Sequence, residues 1–259
     1  EIWNATVGGA KTDVGKSVIE SIDNNIVVCG YTESYGLGRD DVFLVKLDQN
    51  GNLIWQNTFG GEYSDRGNQV INTNSGSLAV VGSTGSFGTG NRDIYFAEVD
   101  QNGNLIRESF VNDSNYDRGT AIAQTADNGF IITGCSDYYE TEPMDMYLVK
   151  LNAEGNFEWQ QKFKEGKFYD YGSGIQITED GGFVLLGTSK FHDTDNQIYL
   201  VKTNNLGELQ YKKLIGGIES DWGNNVVISK NGSFLVVGRT KSSGSGSSDG
   251  IILKVSAAF

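Results

Sequence analysis

The chain has 259 residues, with 20 Lys plus Arg against 33 Asp plus Glu, a formal charge of −13. That balance speaks against nucleic-acid and anionic-lipid partners, both of which need clustered cations. No run of about 18 apolar residues is present to span a membrane, and 38% apolar content with 11% aromatics is enough for a packed core.

Read in chain order, Glu1-Ile2-Trp3-Asn4-Ala5-Thr6-Val7-Gly8-Gly9 is a single strand ahead of a repeat, matched later by Leu53 to Gly61. Asp13-Val14-Gly15 follows, and Asp-x-Gly recurs at Asp65, Asp117, Asp170 and Asp221, in steps of 52, 52, 53 and 51 residues. Gly30, Gly82, Gly134, Gly187 and Gly238 keep the same period, each closing an apolar run. So does the run Val42-Phe43-Leu44-Val45-Lys46, echoed near Ile94, Met146, Ile198 and Ile251. Three markers in one register make five units that fill the chain.

In the second unit the predicted strands are Leu53 to Phe59, Asn68 to Thr73, Leu78 to Val81 and Ile94 to Asp100, separated by Asn-, Ser- and Gly-rich turns. No segment keeps a 3.6-residue period, so helix is not expected. Four-stranded units near a 50-residue period predict an all-β fold, a five-bladed β-propeller with four-stranded antiparallel blades. The single domain is expected to span 1–259. The chain stops where another first strand is due, so residues 1–9 are expected to complete the last blade and close the ring. Closure would remove exposed sheet edges.

The pattern Gly-Gly, Asp-x-Gly, Asp-Gly-Gly-Phe (Asp180 to Phe183), Gly-Thr-Ser (Gly187 to Ser189) and Ile-Tyr-Leu-Val-Lys (Ile198 to Lys202) resembles the SBBP-type bacterial and archaeal β-propeller repeats. The resemblance covers the whole chain. It implies a propeller of an extracellular or cell-surface protein, with a signal either removed or absent from this sequence, and implies little about activity. Unit two departs from the pattern at Glu98 and Arg107, and unit four at Gln197.

By analogy with other propellers, the Asp-x-Gly segments and the long loops such as Gly30 to Asp41 emerge on one face. Asp13, Asp65, Asp117, Asp170 and Asp221 should ring it. A second set is Asp41, Asp93, Asp145 and Asp249. Symmetric carboxylates suit loop capping better than catalysis, and the glycine after each Asp is expected to supply an unusual backbone angle. No metal or other cofactor is expected; a structural divalent cation at the acidic rim is the one candidate. The turns at Asp48 and Asp100 read as Asn-Gly hairpins, because a calcium loop would need a Glu where Phe59 and Val111 stand. Cys29 and Cys135 fall in different blades and are expected to stay unbridged. His192, the only histidine, is expected to be a solvated loop residue.

Asymmetry marks the candidate ligand site. Tyr116, Tyr138, Tyr139, Tyr169, Tyr171 and Phe191 are expected to share one sector of the loop face, where rings beside carboxylates suit a glycan or a protein partner. The leading expectation is a non-enzymatic, monomeric binding or scaffold propeller. The alternative is a carbohydrate-active enzyme using Asp117, Glu140, Glu142 and Asp170, since glycoside hydrolysis needs two carboxyl groups about 5–10 Å apart.

Overall fold

The computed structural model describes residues 2–89, 91–112, 116–136, 144–190 and 195–256. Among these there are nineteen strands and no helix, in five antiparallel sheets. The first sheet is β1 (Asp13–Glu20), β2 (Ile26–Thr32), β3 (Asp41–Leu47) and β4 (Leu53–Phe59). The second is β5 (Asp65–Asn72), β6 (Leu78–Thr84), β7 (Asp93–Val99) and β8 (Leu105–Val111). The third is β9 (Asp117–Gln124), β10 (Phe130–Ser136), β11 (Asp145–Leu151) and β12 (Phe157–Phe163). The fourth is β13 (Tyr169–Ile177), β14 (Phe183–Lys190), β15 (Asn196–Thr203) and β16 (Leu209–Ile215). The fifth holds only β17 (Asp221–Ile228), β18 (Phe234–Thr240) and β19 (Asp249–Val255). In each sheet the strands pair in chain order.

Consecutive sheets pack face to face, so the middle strands are covered on both sides. That is why β3, β6, β7 and β10 are mostly apolar and are buried along their whole length. Cys29, Val42 and Leu44 of the first sheet pack on Val70, Val80, Tyr95 and Ala97 of the second. Outer strands such as β4 and β8 are only half-buried and are exposed at their first residues, because one edge of the sheet meets solvent.

The periodic glycines answer to crowding. A Cβ at Gly30, Gly82, Gly134, Gly187 or Gly238 would strike the carbonyl oxygen of the middle residue of Asp-x-Gly on the adjacent inner strand. This ties the two sequence markers together. The Asp-x-Gly glycines differ from expectation, since none has a positive φ. A Cβ at Gly67 would instead meet Cys29 Sγ at 2.5 Å and Gly30 O at 2.8 Å, so the neighbouring sheet sets the requirement. Positive φ values occur instead at hairpin glycines such as Gly51 and Gly103 (82° each) and in the long loops, as at Gly36 (94°) and Gly88 (90°).

The ring differs from expectation at its seam. Residues 2–12 contain no strand, and β19 has no fourth partner. The N-terminal segment lies instead against the first sheet. Trp3 Nε1 donates to Gln49 O at 2.9 Å, as Trp55 Nε1 donates to Gln101 O at 3.1 Å one sheet later. Val7 packs on Phe43, Val45 and Leu47. The segment therefore stands to the first sheet as β4 stands to the second, without its own sheet partner. No packing joins the fifth sheet to the first on the scale seen between the others, leaving Ile252 81% and Val18 65% exposed.

Candidate functional site

The five inner strands β1, β5, β9, β13 and β17 line one polar channel of about 680 Å³. Its walls carry amides and hydroxyls, among them Asn68, Gln69, Asn72, Gln124, Ser173 and Asn224, and its one charged residue is Lys16. Inner strands contribute these groups because their alternate residues face the axis while the others enter the sheet interfaces.

The Asp-x-Gly aspartates stand at the start of the inner strands, yet they turn away from the channel. Asp65 Oδ2 accepts Gly61 N at 2.8 Å and Ser86 Oγ at 2.6 Å. Asp13 Oδ2 accepts Gly9 N and Ser34 Oγ, both at 2.8 Å. Asp221 Oδ2 accepts Gly217 N at 2.8 Å and Ser242 Oγ at 2.7 Å. Asp170 accepts Glu165 N at 2.7 Å and Gly166 N at 2.9 Å. Asp65 and Asp221 tie the crossover from the preceding sheet to a loop of their own sheet, Asp13 ties the N-terminal segment to such a loop, and Asp170 holds its crossover. Asp117 is also fully buried at the start of β9. Burial raises the Asp170 carboxyl above its usual range against the pull of those N–H groups. At Asp13 burial pushes up too, but bonds from Thr32, Gly9 and Ser34 outweigh it and the net direction is down.

The second aspartate set also holds loops. Asp41 Oδ2 accepts Gly38 N at 3.0 Å and Asp249 Oδ2 accepts Gly246 N at 3.2 Å. Asp41 is raised by burial and by the neighbouring Asp65 and Asp40. In the fourth sheet the neutral Gln197 takes this place and donates to Gly217 O at 3.0 Å. No group of three or more His, Cys, Asp or Glu side chains gathers for a metal ion among the described residues. Asp48 Oδ1 accepts Asn50 N and Asn52 N at 2.8 Å, so this turn is a hairpin held by its own side chain. Cys29 and Cys135 are buried and unbridged, and burial pushes the Cys135 thiol up to about 12.

The aromatic sector is assembled only in part. Tyr169 and Tyr171 have ring centroids 5.9 Å apart, and Tyr169 Oη donates to Asn196 Oδ1 at 2.6 Å. Tyr116 lies under Arg92 instead, with the guanidinium carbon 5.6 Å from its ring centre. Tyr138, Tyr139, Glu140, Glu142, Phe191 and His192 lie outside the described residues. A feature absent from the sequence expectations is a second loop-face pocket of about 430 Å³ between the first and second sheets, lined by Arg39, Tyr63, Ser64, Asn91 and Arg92 among others. No motif announces it, because the residue types at these positions differ from unit to unit.

Inner strands around a polar channel, with successive sheets packed face to face, define a β-propeller. No family model matches the chain, and no curated protein matches it in sequence. Among solved structures, it resembles an endo-arabinase from Bacteroides thetaiotaomicron (TM-score 0.53, 12% identity, 93% of each chain covered). It also resembles an α-L-arabinanase from Penicillium chrysogenum solved with arabinobiose (TM-score 0.57, 12% identity, covering 91% of this chain and 79% of that one). A third is a periplasmic gluconolactonase from Pseudomonas aeruginosa (TM-score 0.56, 12% identity, 94% and 74%). At such identities the likeness is one of fold. It nevertheless corrects the expectation of a non-enzymatic binding or scaffold propeller, since the similar folds are enzymes. No helix among the described residues is long and apolar enough to cross a membrane.

Proposed function

We propose that this propeller is a carbohydrate-active enzyme whose substrate enters the polar channel from the loop face. The channel carries the reading: about 680 Å³ walled by amides and hydroxyls suits a polyhydroxylated ligand, whose many donors and acceptors an apolar pocket would leave unpaired. The arabinase, arabinanase and gluconolactonase folds lend support, being proteins named for converting sugars or sugar lactones. Asp117 and Asp170 border the loops, but the bonds to Asp170 already commit it to a crossover. The reacting acids are therefore sought first at Glu140 and Glu142. A panel of arabinans, uronans and aldonolactones, with products followed by mass spectrometry, tests the reading. Turnover that E140Q or E142Q abolishes without lowering the melting temperature is expected. Absence of turnover across the panel would contradict it.

The same reading takes the five sheets as five blades whose ring closes between the fifth and the first. Val237 and Ile252 of the fifth sheet correspond by repeat to Cys29 and Leu44, and Val28 and Phe43 of the first correspond to Val80 and Tyr95. These are two halves of the core that joins the first sheet to the second. In the closed form, residues 2–7 take the place of a fourth strand beside β19, with Asn4 opposite Leu253, as Gln56 is opposite Val45.

A further inference from the structure

The second loop-face pocket is built by the crossover from β4 to β5 and by the long loops β2–β3 and β6–β7. Arg39 N donates to Tyr63 O at 3.2 Å, Gly85 N donates to Ser64 O at 2.8 Å, and Tyr63 N donates to Ser86 Oγ at 2.9 Å. The backbone is thus fixed while the side chains of Arg39, Tyr63 and Arg92 border an open volume of about 430 Å³. The repeat does not demand these residues. Arg92 stands where the other units have Asp40, Met144, Asn196 and Ser248, and Arg39 where they have Asn91, Pro143, Asp195 and Ser247.

Charge makes the pocket unusual. In a chain of net charge −13, two arginines border one cavity, and among the described residues neither has a salt-bridge partner. The nearby Arg66 shows what a satisfied arginine looks like here: it pairs with Asp40 and lies 4.5 Å from the Tyr31 ring centre. Arg92 rests over Tyr116, which restricts its side chain. Glu62 also lines the pocket and is the one opposing charge.

We infer that this pocket binds the carboxylate of an acidic sugar residue, a hexuronate in a polysaccharide; the inference rests on the carbohydrate reading above. Planar guanidinium groups match a carboxylate with paired N–H donors. Tyr63 is 64% exposed beside them and offers an apolar ring for the face of the sugar. Asn91 supplies an amide for its hydroxyls. A phosphate or an acidic peptide would use the arginines but would leave the Tyr63 ring idle.

Calorimetric titration of the whole chain with galacturonate, glucuronate and mannuronate trimers, each against its carboxyl-reduced neutral counterpart, tests the inference. At least one acidic trimer is expected to bind about tenfold tighter than its neutral form. Arg39→Gln combined with Arg92→Gln should erase that difference and leave neutral binding as it was, the Lys pair should keep part of it, and Glu62→Gln should tighten acidic binding. A melting curve for each variant separates loss of site from loss of fold. Equal binding of acidic and neutral trimers by the unmodified chain overturns the acidic subsite while the carbohydrate reading stands. Failure of every trimer to bind overturns the acidic subsite, and turnover of arabinans and aldonolactones then decides the carbohydrate reading separately. Inorganic phosphate or hexaglutamate competing as well as the best uronate would show a general anion site and overturn the sugar assignment.

Discussion

Arg107 Nε donates to Glu98 Oε2 at 2.6 Å across β7 and β8, at the register position where the first, third and fourth sheets set a buried lysine beside an aromatic ring. In those sheets Lys46, Lys150 and Lys202 bond Asp23, Asp127 and Asp180. The second sheet has Ser75 at that aspartate position, and Ser77 Oγ donates to Glu98. The buried charge is reversed and its surroundings are reversed with it.

Removing one member should therefore harm more than exchanging the set. Arg107→Trp leaves Glu98 buried without its cation, and a loss of about 3 kcal/mol or more is expected. Glu98→Lys alone places a lysine beside Arg107 and should be similarly unfavourable. The pair together should recover part of the loss, and adding Ser75→Asp should recover most of it. Urea unfolding midpoints check the series. If each single change costs less than about 0.5 kcal/mol, the charge exchange is incidental.

Asp41 gives a pH prediction of opposite sign to most carboxylates. Burial, with Asp65 and Asp40 nearby, raises its folded-state pKa above the unfolded value. Its protonated form favours folding, so the contribution is complete below about pH 4 and is lost as pH rises through the folded pKa. Asp41→Asn keeps an oxygen for the Gly38 N–H, and Gln197 already fills the corresponding place in the fourth sheet. The variant should melt higher than the parent at pH 7 and no higher at pH 4. An unchanged or lower melting temperature at pH 7 would count against the burial argument.

Asp180 behaves the other way. The Thr178 hydroxyl, opposed by burial and helped by Lys202, holds it at about 2. Its stabilisation is present above the unfolded pKa near 4 and is lost as pH falls through about 2. Asp180→Asn also deprives the buried Lys202 of its carboxylate partner. The variant should melt lower than the parent at pH 7, and the gap should close in acid. Because Asp180 is 55% exposed, the effect should be modest.

The seam between the fifth and first sheets can be tested covalently. Asn4→Cys with Leu253→Cys should form an intramolecular disulfide under mild oxidation if residues 2–7 pair with β19. Cys29 and Cys135 are buried with raised thiol pKa values and should not compete. A disulfide-linked dimer, or two free thiols, would argue for a ring that stays open.

The fold was legible wherever one steric demand recurs. Gly30 and Val14 must touch in every sheet, so the marker survives in every unit. Asp65 and Asp221 recur with the repeat because each accepts the same pair of hydrogen bonds, from a crossover N–H and a loop serine. The reason for Gly67 was misread, since local turn chemistry cannot reveal that Cys29 of another sheet lies against it. The seam was legible in part. Trp3 and Val7 carry the pattern of an outer strand and pack on the first sheet as β4 packs on the second, but their pairing with β19 is not formed. The Arg39–Arg92 pocket was invisible because its residues are brought together by two loops and a crossover and share no motif. Tyr116 and Tyr169, grouped in sequence by their aromatic character, face different partners.

The most direct test of the carbohydrate-active reading is sugar or acid release by a chain whose channel is plugged. Asn224 lines the channel, is exposed, and makes no hydrogen bond to a described side chain, so Asn224→Trp obstructs the channel without touching a crossover. Turnover present in the parent and lost in the variant, with the melting temperature unchanged, is the predicted result. Turnover that persists with the channel obstructed would contradict the account.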